Sequence, residues 1–305
     1  MEHLSVLSVI LKKYLGEENV PEFDKLLCLY GKVCINSFSI LNKDLKCVGS
    51  GIYLAGSIFD HSCQPNAVTV FKGSTLYVIA TEDIPNFEWS KVRISYEDLL
   101  SLTSKRKEEL RKHYYFDCAC SRCLDITMSS LETAMLCRNS NCGGPVYINN
   151  QDASEFSCES CARLLKKDEV TKFRKLICSI EEKLQSGSVV DAESANWHDL
   201  LLKISKLAHP FNFYYVKLLD LANERAITRE NWELTTTYGL PLAEGLRKYC
   251  GNHNPILGIH FMKLSKIYVY LNNKKMALRY FQEALKVLQP TVKSNIFNFN
   301  SDFGE

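Results

Sequence analysis

Three cysteines stand within six residues, Cys118-Ala-Cys120-Ser-Arg-Cys123. They are packed too tightly for independent disulfides, whereas three thiolates at this spacing suit three corners of a tetrahedral zinc site. The fourth corner has to come from elsewhere in the chain. Buried, unligated thiols are the bland alternative. Downstream, Cys137-x4-Cys142 and Cys158-x2-Cys161 form two paired knuckles close to the spacing of a four-cysteine zinc ribbon. Gly143-Gly144-Pro145 supplies a sharp turn after the first knuckle, and Pro145-Val146-Tyr147-Ile148 reads as the returning strand. Cys28, Cys34, Cys47, Cys178 and Cys250 are isolated in apolar surroundings and read as small buried hydrophobes without chemistry.

A chain of 305 residues, 46% hydrophobic and 24% charged, can bury a sizeable core and form two domains with small inserts. Lys plus Arg number 37 against 35 Asp plus Glu, so no net field draws the molecule onto nucleic acid or an anionic membrane. The opening apolar run from Leu4 to Leu11 is too short for a bilayer span and lacks the flanks of a signal peptide. With no signal, the 13 cysteines point to metal or burial, and the expected setting is reducing, cytoplasmic and nuclear.

Leu4, Leu7, Leu11 and Leu15 recur at helical spacing, and a second helix is predicted from Phe23 to Tyr30, after Pro21. From Val33 the residues turn β-branched and aromatic, and Ala67 to Phe71 with Leu76 to Ala80 read as a hairpin. Ser104 to Tyr115 returns to helix, its run Lys105-Arg106-Lys107-Glu108-Glu109 read as a solvated surface. Beyond the cysteines, helical spacing resumes near Asp168. It continues over Phe213 to Ala226, Leu240 to Tyr249, Pro255 to Leu271 and Lys274 to Leu288. Asn254-Pro255 supplies a cap and a first-turn proline. The last two helices suggest a divergent helical stack, and the tail from Thr291 carries no periodicity.

Asp60-His61-Ser62-Cys63-Gln64-Pro65-Asn66 resembles the Asn-His-Ser-Cys-x-Pro-Asn signature of SET domains. Ile94-Ser95-Tyr96-Glu97-Asp98-Leu99-Leu100 looks like that family's catalytic-tyrosine strand, and Tyr115-Phe116-Asp117-Cys118-Ala119-Cys120 like its post-SET motif. Val33 to Phe38 also resembles the strand before the signature in SET-and-MYND-type protein-lysine methyltransferases, and the resemblance covers nearly the whole chain.

The resemblance implies an α+β fold. It divides into a helical region (1–32), the C-terminal part of a SET domain (33–100) and a post-SET zinc segment (101–125). A zinc ribbon-like insert (126–166), a tetratricopeptide-like helical domain (167–290) and a tail (291–305) follow. It makes Cys63 the fourth ligand to the zinc of Cys118, Cys120 and Cys123, a structural site with no open position. Cys137, Cys142, Cys158 and Cys161 hold the second zinc. Asn36, Asp60, His61, Tyr96 and Phe116 would face S-adenosylmethionine, Phe38 and Tyr114 would wall the lysine channel, and Tyr96 would be catalytic.

Such a site transfers a methyl from a sulfonium to a neutral amine. A free lysine, with a pKa of about 10.4, is mostly protonated at neutral pH, and an apolar aromatic channel favours the neutral form by desolvation. No dedicated base is needed. His61 has no hydrolytic or metal partners at suitable spacing, so its contacts are expected through backbone and cosubstrate. The pair Glu97-Asp98 reads as a solvated turn, and taken singly each aromatic other than Tyr96 reads first as core packing.

Three departures from the pattern enter the expectation. No Gly-x-Gly strand and no MYND cysteines precede the signature in these residues, so the pocket is expected to lack those walls. Asp60 replaces asparagine, exchanging a donor for an acceptor-only carboxylate and weakening cosubstrate binding. Pro85 to Lys91 is a longer, bulkier turn, expected to displace Tyr96. The first functional reading is lysine methylation of a histone or non-histone protein. The alternative is an idle zinc scaffold that binds a protein partner through its helical domain. Direct nucleic-acid binding through the ribbon gains nothing from a near-neutral chain, and no membrane partner is expected.

Overall fold

The structure is a computed structural model that describes residues 2–42, 46–148, 155–185 and 196–293. Two helices open it, α1 (Glu2–Leu15) and α2 (Phe23–Asn36). Among their described side chains only Leu4 and Leu26 are buried, and Val6, Val9, Tyr14, Leu29 and Val33 are exposed. Helix α2 runs further than its sequence suggests. Val33–Asn36, read as strand from its β-branched residues, completes the last turn, and extended structure begins one residue later.

Small two-stranded sheets follow. β1 (Ser37–Leu41) pairs antiparallel with β2 (Cys47–Ile52). β3 (Asp60–His61) lies parallel to β6 (Arg93–Ile94), with Asp60 opposite Arg93. Between them, β4 (Ala67–Lys72) and β5 (Thr75–Ala80) form the expected hairpin, with Gly73 at φ 60°, a conformation that favours glycine. Phe59, Ala67, Val92 and Ile94 bury a small core beneath these strands.

Helix α3 (Thr103–Tyr114) ends where Tyr115 adopts a left-handed conformation, φ 61°. That residue swings the chain out of the helix towards Cys118. Two short helices, α4 (Ser121–Leu124) and α5 (Ile126–Leu131), carry it onward, the second capped by Asp125, which accepts the Met128 N–H at 2.9 Å. The ribbon consists of β7 (Met135–Leu136) with β8 (Pro145–Val146), and β9 (Phe156–Ser157) with β10 (Leu164–Leu165). It is not a free appendage: Met135, Val146 and Phe156 join the largest core, which continues through the helices beyond.

Those helices are α6 (Lys167–Gln185), α7 (Asn196–Ser205), α8 (Phe213–Thr228), α9 (Trp232–Cys250), α10 (Pro255–Tyr270) and α11 (Lys274–Lys293). Asn212, Asn231 and Asn254 cap α8, α9 and α10 with side-chain oxygens. Helix α9 starts well before Leu240, where the sequence placed it. Gly239 and Pro241 each disfavour helix, but the helix is held by packing: a Cβ on Gly239 would meet the Leu264 side chain at 2.7 Å, and His260 bonds the Gly239 carbonyl at 2.8 Å. Helix α11 likewise extends past Thr291, the start of the expected tail, and residues 294–305 lie outside the described residues. Among the described residues no helix is long and apolar enough to cross a membrane.

The isolated cysteines do not share one environment. Cys28, Cys34, Cys47 and Cys178 are exposed, against the expectation of burial, and of these five only Cys250 is buried.

Candidate active site and cysteine cages

Cys63, Cys118, Cys120 and Cys123 place their sulfurs within 4.8 Å of one another, as do Cys137, Cys142, Cys158 and Cys161. Four thiolates at that separation fit a zinc ion with Zn–S bonds of about 2.3 Å. Both groups could hold zinc. The residues around each supply what a thiolate needs. At the ribbon the Asn139 and Ser160 N–H groups point at Cys137 and Cys158, both at 3.4 Å. At the first cage, His61 Nε2 lies 3.2 Å from Cys63 Sγ. A hydrogen bond from Cys123 holds the Cys63 thiol far below its ordinary range against the cost of burial, with His61 and Arg106 acting in the same direction.

His61 links this cage to the tyrosine. Its Nδ1 accepts the Tyr96 N–H at 3.0 Å, which leaves the proton on Nε2, facing Cys63. The imidazole is therefore held at both nitrogens by the protein. The Tyr96 hydroxyl donates to the Phe59 carbonyl at 2.6 Å, so its proton is occupied and its oxygen keeps acceptor capacity. Burial raises the pKa of both Tyr96 and Tyr114, keeping them neutral. The ring of Tyr96 lies 4.8 Å from Tyr114 and 5.2 Å from His61, and Phe116 stands 6.0 Å beyond His61.

Together Asp60, His61, Arg93, Tyr96, Tyr114 and Phe116 line a cleft of about 570 Å³, with Cys118 and Cys120 at one end. The long turn 85–91 is tied down at its end, ahead of Tyr96. Asn66 holds the segment there, donating to the Lys91 carbonyl and accepting the Arg93 N–H, each at 2.8 Å. Two expected residues are elsewhere. Asn36 ends α2 and turns its amide to the Lys32 carbonyl at 2.8 Å, while Phe38 packs against Tyr53 and the small core. Neither lines the cleft; Ile35 does.

Behind the cage lies a buried charge network that the sequence reading passed over. Glu132 accepts the Thr103 N–H at 2.7 Å and its hydroxyl at 2.9 Å, and faces Arg106 and Arg122 at 3.7 and 3.9 Å. Arg122 donates to the Tyr249 carbonyl at 2.6 Å and the Leu99 carbonyl at 2.9 Å. Arg106, read as part of a solvated run, is fully buried: helix α3 presents it inwards beside Leu110, while Lys105 and Glu108 face water. The spacing Leu102, Arg106, Leu110 marks one helical face, and that periodicity was the available signal.

Histone-lysine N-methyltransferase ASHR1 of Arabidopsis thaliana is 27% identical over 269 residues, 85% of this chain and 55% of its own length. Histone-lysine N-methyltransferase SMYD3 of Homo sapiens matches at 26% over 89% of this chain. N-lysine methyltransferase SMYD2-B of Danio rerio matches at 24% over 94%. The chain resembles the SMYD-type lysine methyltransferases. No protein-family model matches it. The chain spans 55–60% of the length of these SMYD-type relatives, so the similarity covers most of one partner and about half of the other.

Proposed function

We propose that this chain carries the catalytic-tyrosine part of an S-adenosylmethionine-dependent protein-lysine N-methyltransferase. Residues 33–100 would be the C-terminal part of its SET domain, 101–125 its post-SET segment and 167–290 a tetratricopeptide-like domain. The observation that carries the reading is the arrangement of Tyr96, Tyr114 and Phe116 around one cleft, anchored to a four-cysteine cage through His61. The proposed substrate is a lysine-bearing protein, histone or not, met in the cytoplasm or nucleus.

S-adenosylmethionine, when bound, supplies a methyl group on a cationic sulfur. Tyr96, its proton engaged at Phe59, keeps an oxygen that can accept weak C–H contacts from such a methyl. The faces of Tyr114 and Phe116 attract the cationic sulfonium, and that neighbouring charge together with desolvation disfavours the lysine ammonium, so the amine reacts neutral. Zinc at the first cage would tether the segment carrying Phe116 to the strand carrying His61.

The test is methyl incorporation into lysine peptides and histones by mass spectrometry. Tyr96→Phe removes the hydroxyl and should lower turnover on the order of 100-fold, with zinc content unchanged. Equal turnover by the variant would overturn the reading. A second reading, a zinc scaffold for a partner protein, is favoured by another cleft of about 760 Å³ between Gln64, Asp125 and the α9–α10 turn, away from Tyr96. Absence of any methyl transfer, with a bound protein protecting that cleft from hydrogen exchange, would establish it instead.

A further inference from the structure

Parallel pairing of β3 with β6 sets Asp60 directly opposite Arg93, and their side chains meet in a salt bridge on the cleft wall. Asp117 also lines the cleft, but Arg111 engages it through two nitrogens, at 2.8 and 2.5 Å. Asp60 and Arg93 therefore present both signs of charge side by side to one volume whose remaining walls, Asp117 apart, are rings, thiols, Ser62 and the apolar Ile35 and Ala119.

The pair does little for the fold. The side chains are 66% and 36% exposed, and ion pairs so hydrated contribute little to stability and rearrange readily. Its position matters more. Both charges act on the Tyr96 hydroxyl, Asp60 raising its pKa and Arg93 opposing it, which places them within electrostatic reach of the reacting end of the cleft.

An amino acid head carries an ammonium and a carboxylate on one carbon, the mirror image of this wall. A carboxylate accepts from the ammonium, and a guanidinium with five donors in a planar fork binds a carboxylate bidentately while keeping a bond to its neighbour. A ligand lacking either group leaves one wall charge without its match. We propose that Asp60 and Arg93 form a zwitterion clamp that takes the α-amino-carboxylate end of the adenosyl cosubstrate. This rests on the methyltransferase reading and adds to it the head-group contact. It also gives Asp60 a compensating partner: the donor lost with the signature's asparagine is returned by Arg93.

Calorimetric titration of the zinc-loaded chain with two probes separates the claims. S-adenosylhomocysteine carries the zwitterionic head, and 5′-methylthioadenosine lacks it. The homocysteine compound should bind the unaltered chain about 10- to 100-fold more tightly. Arg93→Met should remove most of that difference and leave methylthioadenosine binding unchanged, Arg93→Lys should restore part of it, and Asp60→Asn should weaken the homocysteine compound to a lesser degree. If methylthioadenosine binds and Arg93→Met holds S-adenosylhomocysteine as tightly as before, or more tightly, the clamp is wrong while the cosubstrate cleft stands. If neither compound binds the unaltered chain, the methyltransferase reading falls and the clamp with it.

Discussion

Cys63 and Cys123 stand 60 residues apart in sequence and bring their sulfurs to 3.4 Å, whereas Cys137 and Cys161 meet across 24 residues at 3.6 Å. The first cage closes a long loop and joins strand β3 to the segment after α3. The second ties two adjacent hairpins to each other. Their surroundings differ in the same sense: His61, Arg106 and the Glu132 network back the first, while Asn139 and Ser160 N–H groups back the second, and Cys161 is exposed. One chemical motif thus serves two mechanical purposes. A cage that closes a long loop removes more freedom from the unfolded chain and couples distant elements.

The widest gap between the two should appear on losing one ligand from each. Cys63→Ser is expected to destabilise the whole protein by about 5 kcal/mol or more, and to abolish near-ultraviolet signals from the Tyr96 cleft. Cys161→Ser should leave those signals in place and lower the melting temperature far less. Equal losses would erase the distinction.

Next in size is the charge behind the first cage. Glu132→Ala leaves two buried guanidinium groups without their carboxylate and should cost about 3–5 kcal/mol, measured by urea unfolding. The same truncation at Glu169, which pairs with Arg138 at the ribbon surface at 3.3 Å, should cost under about 1 kcal/mol. A large Glu169 effect would mean that the ribbon is as deeply braced as the first cage.

The smallest effect is an order of events in acid. Protons compete with zinc for thiolates, so a cage whose thiolate is favoured keeps its metal to lower pH. At the first cage Cys63, Cys118 and Cys123 are buried, with Cys123, His61 and Arg106 favouring the Cys63 thiolate while Cys123 is pushed up in turn, whereas at the ribbon Cys161 is exposed and open to protons and chelator. As pH falls from 7 to 4, zinc captured by a chromogenic chelator should come first from the ribbon. Arg106→Met should move only the later release, towards higher pH. Simultaneous release would contradict the contrast in environments.

The cysteine spacing made both cages legible, since metal geometry constrains residues near in sequence. The partnership of Cys63 with the distant triad came only through the resemblance of its motif. The hairpin at Gly73 and the Asn254-Pro255 cap were also readable, because turn and cap chemistry is local. What escaped was decided by tertiary contacts. Val33–Asn36 carries strand-like residues in a helix, and Gly239 and Pro241 concealed half of α9 until packing against α10 outweighed their propensities. Arg106 hid inside a charged run. The ion pair of Asp60 with Arg93 depends on a strand register that no local pattern specifies.

The two residues between Cys120 and Cys123 are both engaged. The Ser121 hydroxyl donates to Gln64 at 2.9 Å, and Arg122 reaches carbonyls at Leu99 and at Tyr249, near the end of α9. A cysteine cluster lifted from this chain into another host would bring its ligands but not those carbonyls, and would arrive with a buried guanidinium unmatched. The metal segment is in this respect not a portable part: the turn at Leu99 and the end of α9 supply the socket into which it is keyed.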